Sequence, residues 1–412
     1  MLASRLSLSL ALLAAAGRTL LSQPTIRDLR DRPLATWNQA EREFGFPRWS
    51  AIYEHRIVRR GVRVHPLPVG APLAALAPST ESGQALDRYI AEQKVAGVVV
   101  LVDGERRLER YALGQSASKK WTSFSVAKSI TGTLVGAAIR DGYIASVEDP
   151  VTRYIPGLKG SVYDSVNVRQ LLTMTSGVRW NEDYTDTLSD VYRFHLHRPP
   201  RGENATVSFM RTLTRDTTPG TRWVYKTGET NLIGVLVSSA TGQPLSRYLS
   251  RKIWGRYGME QDATWQLDRG GHEHGGCCFQ ATLRDFARFG QFVLDGGRIN
   301  GRPVLADGWL EEATKSQVDL GDGRGYGYQW WTSADGTFGA RGIHGQLIHI
   351  DPARRLVVAM ISAWPVATGR EPSAARAAFI EMLAAAVDAD SVSAVRRRAE
   401  AAKLRTRGAS SP

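Results

Sequence analysis

Along the chain the apolar positions fall into three blocks of different period. In the first, a segment opening at Ser79 or Thr80 carries a helical pattern to about residue 90, and two strands, at 98–101 and 107–111, are expected to flank Asp103-Gly104, the signal of a tight hairpin. The second block starts at Ser125. Val126, Ile130, Leu134 and Val135 follow it at roughly helical spacing, and the pattern ends near Gly142. Asn167 can cap a helix over 168–174 that Gly177 stops, a helix over 230–240 is closed by Gly242, and Thr282 with Asp285 gives a capping-box pattern before a helix ending at Gly296-Gly297. In the third block small and aromatic residues alternate from Tyr326 to Trp331, runs at 345–350 and 356–362 flank Asp351-Pro-Ala-Arg-Arg as a second hairpin, and an amphipathic helix over 376–387 closes the pattern. Strands, then helices, then strands with one helix predict an α/β (α+β) architecture. The expected form is an antiparallel sheet flanked by helices, its halves at about 81–124 and 320–385, separated by an inserted all-helical subdomain at about 125–319. Ligand sites favour such domain boundaries, and Ser125 opens the insertion.

The segments outside these blocks read differently. Residues 24–80 are rich in Pro, Arg and Trp with little periodicity, and Pro-Leu-Pro-Val-Gly-Ala-Pro at 66–72 reads as linker, so this stretch is expected to be an arm lying over the main domain. At the start, Arg5 precedes an apolar run over 6–16 that closes on Ala14-Ala15-Ala16. That is the charge, core and small-residue exit of a secretory signal over 1–23, too short to span a bilayer, and it predicts a periplasmic or otherwise exported protein. An uncleaved anchor, or a start assigned too early with a cytoplasmic protein, are the alternatives.

Composition adds charge. The 412 residues include 53 Lys and Arg against 40 Asp and Glu, a formal +13, with 42% apolar residues, as in a globular chain. Part of the excess lies in a basic tail over 386–412, in whose last segment Arg396, Arg397, Arg398, Lys403, Arg405 and Arg407 face only Glu400. Such a tail can associate with an anionic membrane surface or stay solvated, and no nucleic-acid-binding motif accompanies it. The two cysteines, Cys277 and Cys278, are adjacent, a spacing that predicts no disulfide framework.

Three stretches carry candidate chemistry. In Ser125-Val-Ala-Lys128 a serine and a lysine three residues apart share a helical face, so Oγ and Nζ can touch at a helix N-terminus that favours negative charge. An activated serine needs such a base and such a potential. The plain alternative is a helix cap followed by a solvated lysine, and the small, apolar helix after Lys128 argues against it. In Pro219-Gly-Thr-Arg-Trp-Val-Tyr225, the phenol of Tyr225 near a lysine could be pushed toward phenolate and shuttle a proton to a leaving group. In Gly339-Ala340-Arg341-Gly342-Ile343-His344-Gly345-Gln346, glycine at every third place would let a substrate approach the backbone of an edge strand. The pairs His195-Leu-His197 and His272-Glu-His274 raise a metal hydrolase, but neither has the i, i+4 helical spacing of a zinc motif, and neither a metal nor another cofactor is expected. No Gly-x-Ser-x-Gly elbow and no phosphate loop occur.

Taken together, in this order, the three stretches resemble the serine β-lactamase and penicillin-binding-protein superfamily, whose pattern includes Ser-x-x-Lys. The resemblance is nearest to its class C-like branch, which holds carboxylesterases and 6-aminohexanoate-dimer hydrolases. It covers about residues 80–385 and includes Leu172-Thr-Met-Thr-Ser-Gly177-Val-Arg-Trp-Asn-Glu-Asp-Tyr184, Thr241-Gly-Gln-Pro-Leu245 and Tyr326-Gly-Tyr-Gln-Trp-Trp331. The resemblance implies Ser125 as acylated nucleophile, Lys128 as its base, Tyr225 as proton relay, and the N–H groups of Ser125 and Ile343 as oxyanion hole. It further implies Tyr184, Gly342, His344 and Gly345 as substrate-binding residues, and a small-molecule ester or amide as substrate. One departure stands out. Where β-lactamases and peptidases carry Lys-Thr-Gly, this chain has Ala340-Arg341-Gly342, without the lysine that holds a substrate carboxylate. Esters or linear amides are therefore expected ahead of β-lactams and D-Ala-D-Ala peptides. Arg341 could supply the charge if it points into the cleft. A non-catalytic binder on the same fold would be expected to have lost Ser125, Lys128 or Tyr225, and all three are present.

Overall fold

In the computed structural model the backbone is described for residues 24–30 and 32–408, and side chains through residue 393. The expected leader (1–23) and the side chains of the tail's arginine run lie outside the described residues. The main sheet has eight strands, all pairing antiparallel, in the order β3-β2-β14-β13-β12-β11-β10-β9. These are β2 Val95–Val102, β3 Glu105–Tyr111, β9 Val318–Gly321, β10 Arg324–Tyr326, β11 Trp331–Ser333, β12 Phe338–Gly342, β13 Gln346–Asp351 and β14 Leu356–Ser362. Both expected hairpins are there. The first turns at Asp103 and Gly104, whose φ values of 51° and 77° give the left-handed turn that suits the strand twist.

Strand β2 is apolar at nearly every position because both faces are covered. Val99 and Leu101 join the core shared with the middle helices, and Val98 and Val100 join a second core with Leu86 and Tyr89 of the helix Glu81–Glu92 and Phe379 and Leu383 of the closing helix. The closing helix is longer than its apolar pattern, Arg370–Gly408. The alternation from Tyr326 to Trp331 is not one strand. It spans the bend between β10 and β11, where Gln329 takes a φ of 65° and sends its side chain inward. Its Oε1 accepts from Thr230 Oγ1 at 2.7 Å and its Nε2 donates to the Leu172 carbonyl at 2.8 Å, so one amide pins the inserted region to the sheet.

The inserted region is not all helical, and the arm is not merely laid over it. A second antiparallel sheet, β1-β5-β6-β4, joins β1 His55–Val58 from the arm, β4 Lys120–Thr122, β5 Ala263–Gln266 and β6 Phe279–Thr282. The remaining strands, β7 Arg298–Ile299 and β8 Arg302–Pro303, form a short hairpin. The arm lacked periodicity because it is built of short pieces, among them Gln39–Gly45 and Trp49–Ile52, that fix single aromatic rings. Its Phe46 and Trp49 lie 5.0 and 5.3 Å from the ring of Phe124.

The helix Val126–Arg140 runs through the middle of the larger core, buried from Val126 to Ala138. Its small residues make room for neighbours. A Cβ on Gly136 would sit 2.5 Å from the Trp309 indole, and one on Gly132 would sit 3.0 Å from Gln329.

Candidate active site

Strand β4 leads to Ser125 through Phe124, which takes a left-handed φ of 43°. For a bulky residue that costs about 1–2 kcal/mol, and the Phe46 and Trp49 rings hold it in place. The twist turns the chain sharply from strand to helix and leaves Ser125 at the helix N-cap with no capping hydrogen bond from its side chain. The hydroxyl is therefore free of the task that the plain reading gave it.

Lys128 is 2% exposed, and its Nζ has three oxygens around it: Ser125 Oγ at 3.0 Å, Thr227 Oγ1 at 2.9 Å and the Gly276 carbonyl at 2.8 Å. None is a carboxylate. Burial lowers the Lys128 pKa to about 8, against a smaller upward pull from Glu182. The Gly276 carbonyl is itself held, since Gly276 N donates to Asn231 Oδ1 at 2.8 Å.

Tyr225 lies across from this pair. Its ring is 4.9 Å from Lys128 Nζ, and its hydroxyl hydrogen-bonds with Ser125. Burial raises the phenol's pKa and outweighs that hydrogen bond, so Tyr225 is held neutral rather than pushed toward phenolate, which corrects that expectation. Trp331 stacks on Tyr225 at 5.7 Å, and the Arg341 guanidinium lies 5.3 Å from the Trp331 ring. Arg341 is thus on the cleft wall. Ala340, next to it, is fully buried in the larger core and faces away. Tyr184 reaches the same cleft, donating to Glu182 Oε1 at 2.7 Å and interacting with Tyr225.

Beyond its two pairs with β11, the end of β12 has only β13 as a ladder partner, which leaves its other edge toward Ser125. The glycines here serve packing rather than access. A Cβ on Gly342 would come within 2.5 Å of the Ser123 carbonyl, and Gly345, with a φ of 89°, leaves no room for one against the Trp364 indole. His344 is 4% exposed, with Nδ1 2.8 Å from the Trp364 carbonyl and its ring against Phe46 and Phe124. His344 and Gly345 therefore face inward, not the substrate, whereas Gly342 and Ile343 lie where β12 meets the Ser125 turn.

A model of the beta-lactamase family matches residues 83–382. The chain belongs to the beta-lactamase family. It is 31% identical over 361 residues to the 6-aminohexanoate-dimer hydrolase of Paenarthrobacter ureafaciens, an alignment covering 83% of this chain and 89% of that one. Among solved structures it superposes on a Bacillus anthracis protein described as a candidate 6-aminohexanoate-dimer hydrolase, with a TM-score of 0.74 and 22% identity, covering 85% of this chain and 94% of the other. It superposes on a class C beta-lactamase with a TM-score of 0.56 and 15% identity, covering 74% and 94%. As a member of this family the protein is a serine hydrolase acting on an amide or ester bond of a small molecule.

Several residues of this hydrolase's cleft had no signal of their own in the sequence. Glu182 accepts from Thr227 N at 2.9 Å, from Thr227 Oγ1, from Trp180 Nε1 and from Tyr184 Oη. Thr227 and Gly276 touch Lys128 from 99 and 148 residues away, beyond any local period. Cys277 and Cys278 follow Gly276 directly and are joined to each other, contrary to the expectation from their adjacency. The left-handed φ of 66° at Cys278 turns the chain between them. The paired histidines go to separate tasks. His197 Nε2 meets Ser208 Oγ at 2.6 Å and His195 stacks near His274, and among the described residues no three His, Cys, Asp or Glu converge as metal ligands. No helix among the described residues is long and apolar enough to cross a membrane.

Proposed function

We propose that this enzyme hydrolyses a linear amide or ester of a carboxylic acid, of the 6-aminohexanoate-oligomer kind, through a covalent acyl-enzyme on Ser125. The observation that carries the reading is the buried Lys128 amine 3.0 Å from Ser125 Oγ, with its pKa lowered to about 8. In the neutral form Lys128 takes the Ser125 proton as Oγ adds to the carbonyl carbon. The oxygen that becomes anionic is received by the N–H groups of Ser125 and Ile343, at the helix start and just past the end of β12. The C–N or C–O bond then breaks while the neutral phenol of Tyr225 gives its proton to the departing amine or alkoxide, and the proton held by Lys128 restores the phenol. Water, activated by the same groups in reverse, releases the acid and frees Ser125.

The substrate class rests on the likeness to the Paenarthrobacter protein and on the cleft wall. Arg341 offers a cation for a free carboxylate from the β12 edge, while the position of the superfamily's lysine is filled by a buried alanine. Tyr184 and Gly342 are the further substrate-contacting residues in this reading. The charged and apolar pattern of residues 1–23 supports export to the periplasm.

Treatment with a fluorophosphonate, followed by peptide mass spectrometry, should put the adduct on Ser125. A panel of p-nitrophenyl esters, linear amides and a cephalosporin should be turned over by the wild type, slowest for the cephalosporin, and not by Ser125→Ala. Labelling elsewhere, or none on folded protein, removes the mechanism. Cephalosporin turnover faster than that of the esters removes the substrate class.

A further inference from the structure

A neutral lysine amine has two N–H bonds and one lone pair, so a lysine base works only if both hydrogens are directed away from the group it deprotonates. Around Lys128 the Gly276 carbonyl can only accept and takes one hydrogen. Thr227 Oγ1 could either accept from the amine or donate to its lone pair. Its choice is made by its other contact, the Glu182 carboxylate, to which the threonine hydroxyl donates. With that proton committed, Thr227 can only accept from Lys128, both amine hydrogens are used, and the lone pair is left facing Ser125.

We propose that Glu182, acting through Thr227, is a positioning residue that orients the Lys128 lone pair toward Ser125. The inference rests on the reading of Ser125 and Lys128 as nucleophile and base. All four groups around Glu182 are donors: Thr227 N, Thr227 Oγ1, Trp180 Nε1 and Tyr184 Oη. A carboxylate accepts from all four, whereas a glutamine must turn its NH2 toward two of them. If that NH2 faces the Thr227 hydroxyl, the hydroxyl accepts from it and returns its own proton to the Lys128 lone pair. Glu182 also serves the helix Thr227–Thr241, whose N-cap Lys226 makes no capping bond from its side chain, by accepting from Thr227 N. The experiment has to separate that stabilising role from the orienting one.

The readout is the rate of Ser125 phosphonylation by a fluorophosphonate as a function of pH, in the full-length protein. The titratable groups facing the amine are Glu182 and Tyr225, with Tyr184 against both of them; Lys226 is paired with Glu229. In the wild type the rate should rise with pH about a midpoint near 8 and level off. In Glu182→Gln the midpoint should move to lower pH, because the negative charge that helped hold the amine protonated is gone. The plateau should nevertheless fall by about 10- to 100-fold, the scale on which misalignment of a catalytic group is felt. Thr227→Ser should keep both midpoint and plateau, Thr227→Val should lose the plateau as Glu182→Gln does, and the double variant Glu182→Gln/Thr227→Val should be no slower than the slower single one.

A Glu182→Gln plateau at the wild-type level, whether or not its midpoint or melting temperature falls, would reduce Glu182 to a charge or a cap and overturn the proposal. So would Thr227→Ser as slow as Thr227→Val, or losses that multiply in the double variant. Should Glu182→Gln fail to fold, the Thr227→Ser and Thr227→Val pair decides alone. Absence of labelling at Ser125 in the wild type would instead remove the underlying reading.

Discussion

Lys128, in the first turn of the helix Val126–Arg140, and Lys226, at the start of the helix Thr227–Thr241, are both buried, at 2% and 0% exposure. Burial lowers the pKa of each. Their neighbours differ. Lys226 lies 3.9 Å from the carboxylate of Glu229 and donates to the Val224 carbonyl at 3.2 Å. Lys128 has only neutral oxygens in reach, and its nearest carboxylate, Glu182, is one hydroxyl away. A counter-ion in contact keeps an amine charged and makes it a structural tie. Moving the counter-ion back by one hydroxyl lets the amine lose its proton near neutral pH while its geometry stays fixed.

The sharpest way to break this contrast is to replace each lysine. Lys128→Arg keeps the charge and loses the base, so the turnover of esters and amides should fall by roughly 10²-fold or more. Lys226→Met should leave the phosphonylation rate of Ser125 near that of the wild type below its melting temperature. Near-normal turnover by Lys128→Arg at every pH between about 6 and 9 would mean that another group is the base.

Tyr225 immediately precedes Lys226 yet packs against Lys128, its ring 4.9 Å from the amine. Tyr225→Phe should slow linear amides by roughly 10²-fold and p-nitrophenyl esters by under about 10-fold, because only the amine needs a proton in order to leave. Equal losses on both substrates would reduce Tyr225 to packing.

Stability should divide the two lysines in the opposite sense. Lys226→Met strands the buried Glu229 and should cost on the order of 3 kcal/mol in urea unfolding. For Lys128 the folded-state pKa lies below the unfolded one, so the folded state binds fewer protons between about 8 and 10.5. Stability from this group is therefore present above 10.5 and lost as pH falls through about 8. The step corresponds to roughly 3 kcal/mol. The wild type should gain about that much on Lys128→Met between pH 7 and pH 10.5, and a flat difference would show that burial does not penalise the Lys128 charge.

The smallest effect concerns the cleft wall that extends from Tyr225 through Trp331 to Arg341. Arg341→Leu should raise KM about 10-fold for an amide bearing a free carboxylate, the scale of one hydrogen bond to a charged group. It should leave neutral p-nitrophenyl esters unchanged. Equal effects on both would show that Arg341 only supports Trp331.

The parts of this arrangement legible in the sequence are those set by local spacing. Ser125 and Lys128 lie one helical turn apart, Asp103-Gly104 marks a hairpin by its own dihedral angles, and Asn167 caps the helix that starts at Val168. Groups brought in by tertiary contact could not be read in that way. Thr227, Gly276 and Glu182 come from three segments, and no period relates them to Lys128. Strand β1 pairs with β5 over more than 200 residues, so an arm without internal pattern supplies a sheet edge. His344 and Gly345 were drawn toward the substrate by their place beside Ile343, but the left-handed φ values of both turn that corner into the Trp364 side of the core.

The ring of Phe46 has a consequence for how the molecule is made. It touches Phe124 at 5.0 Å and His344 at 5.3 Å, and those two rings lie 5.7 Å apart, so one side chain from the arm completes a three-ring cluster with the residue before Ser125 and the residue after Ile343. During synthesis that ring emerges early and must wait nearly three hundred residues for its contact with His344. Contacts of such separation form late, because the loop between them must be closed first. A nascent chain can therefore carry Ser125 and Lys128 without the wall that would complete their site. Hydrolytic activity arrives only with the finished polypeptide.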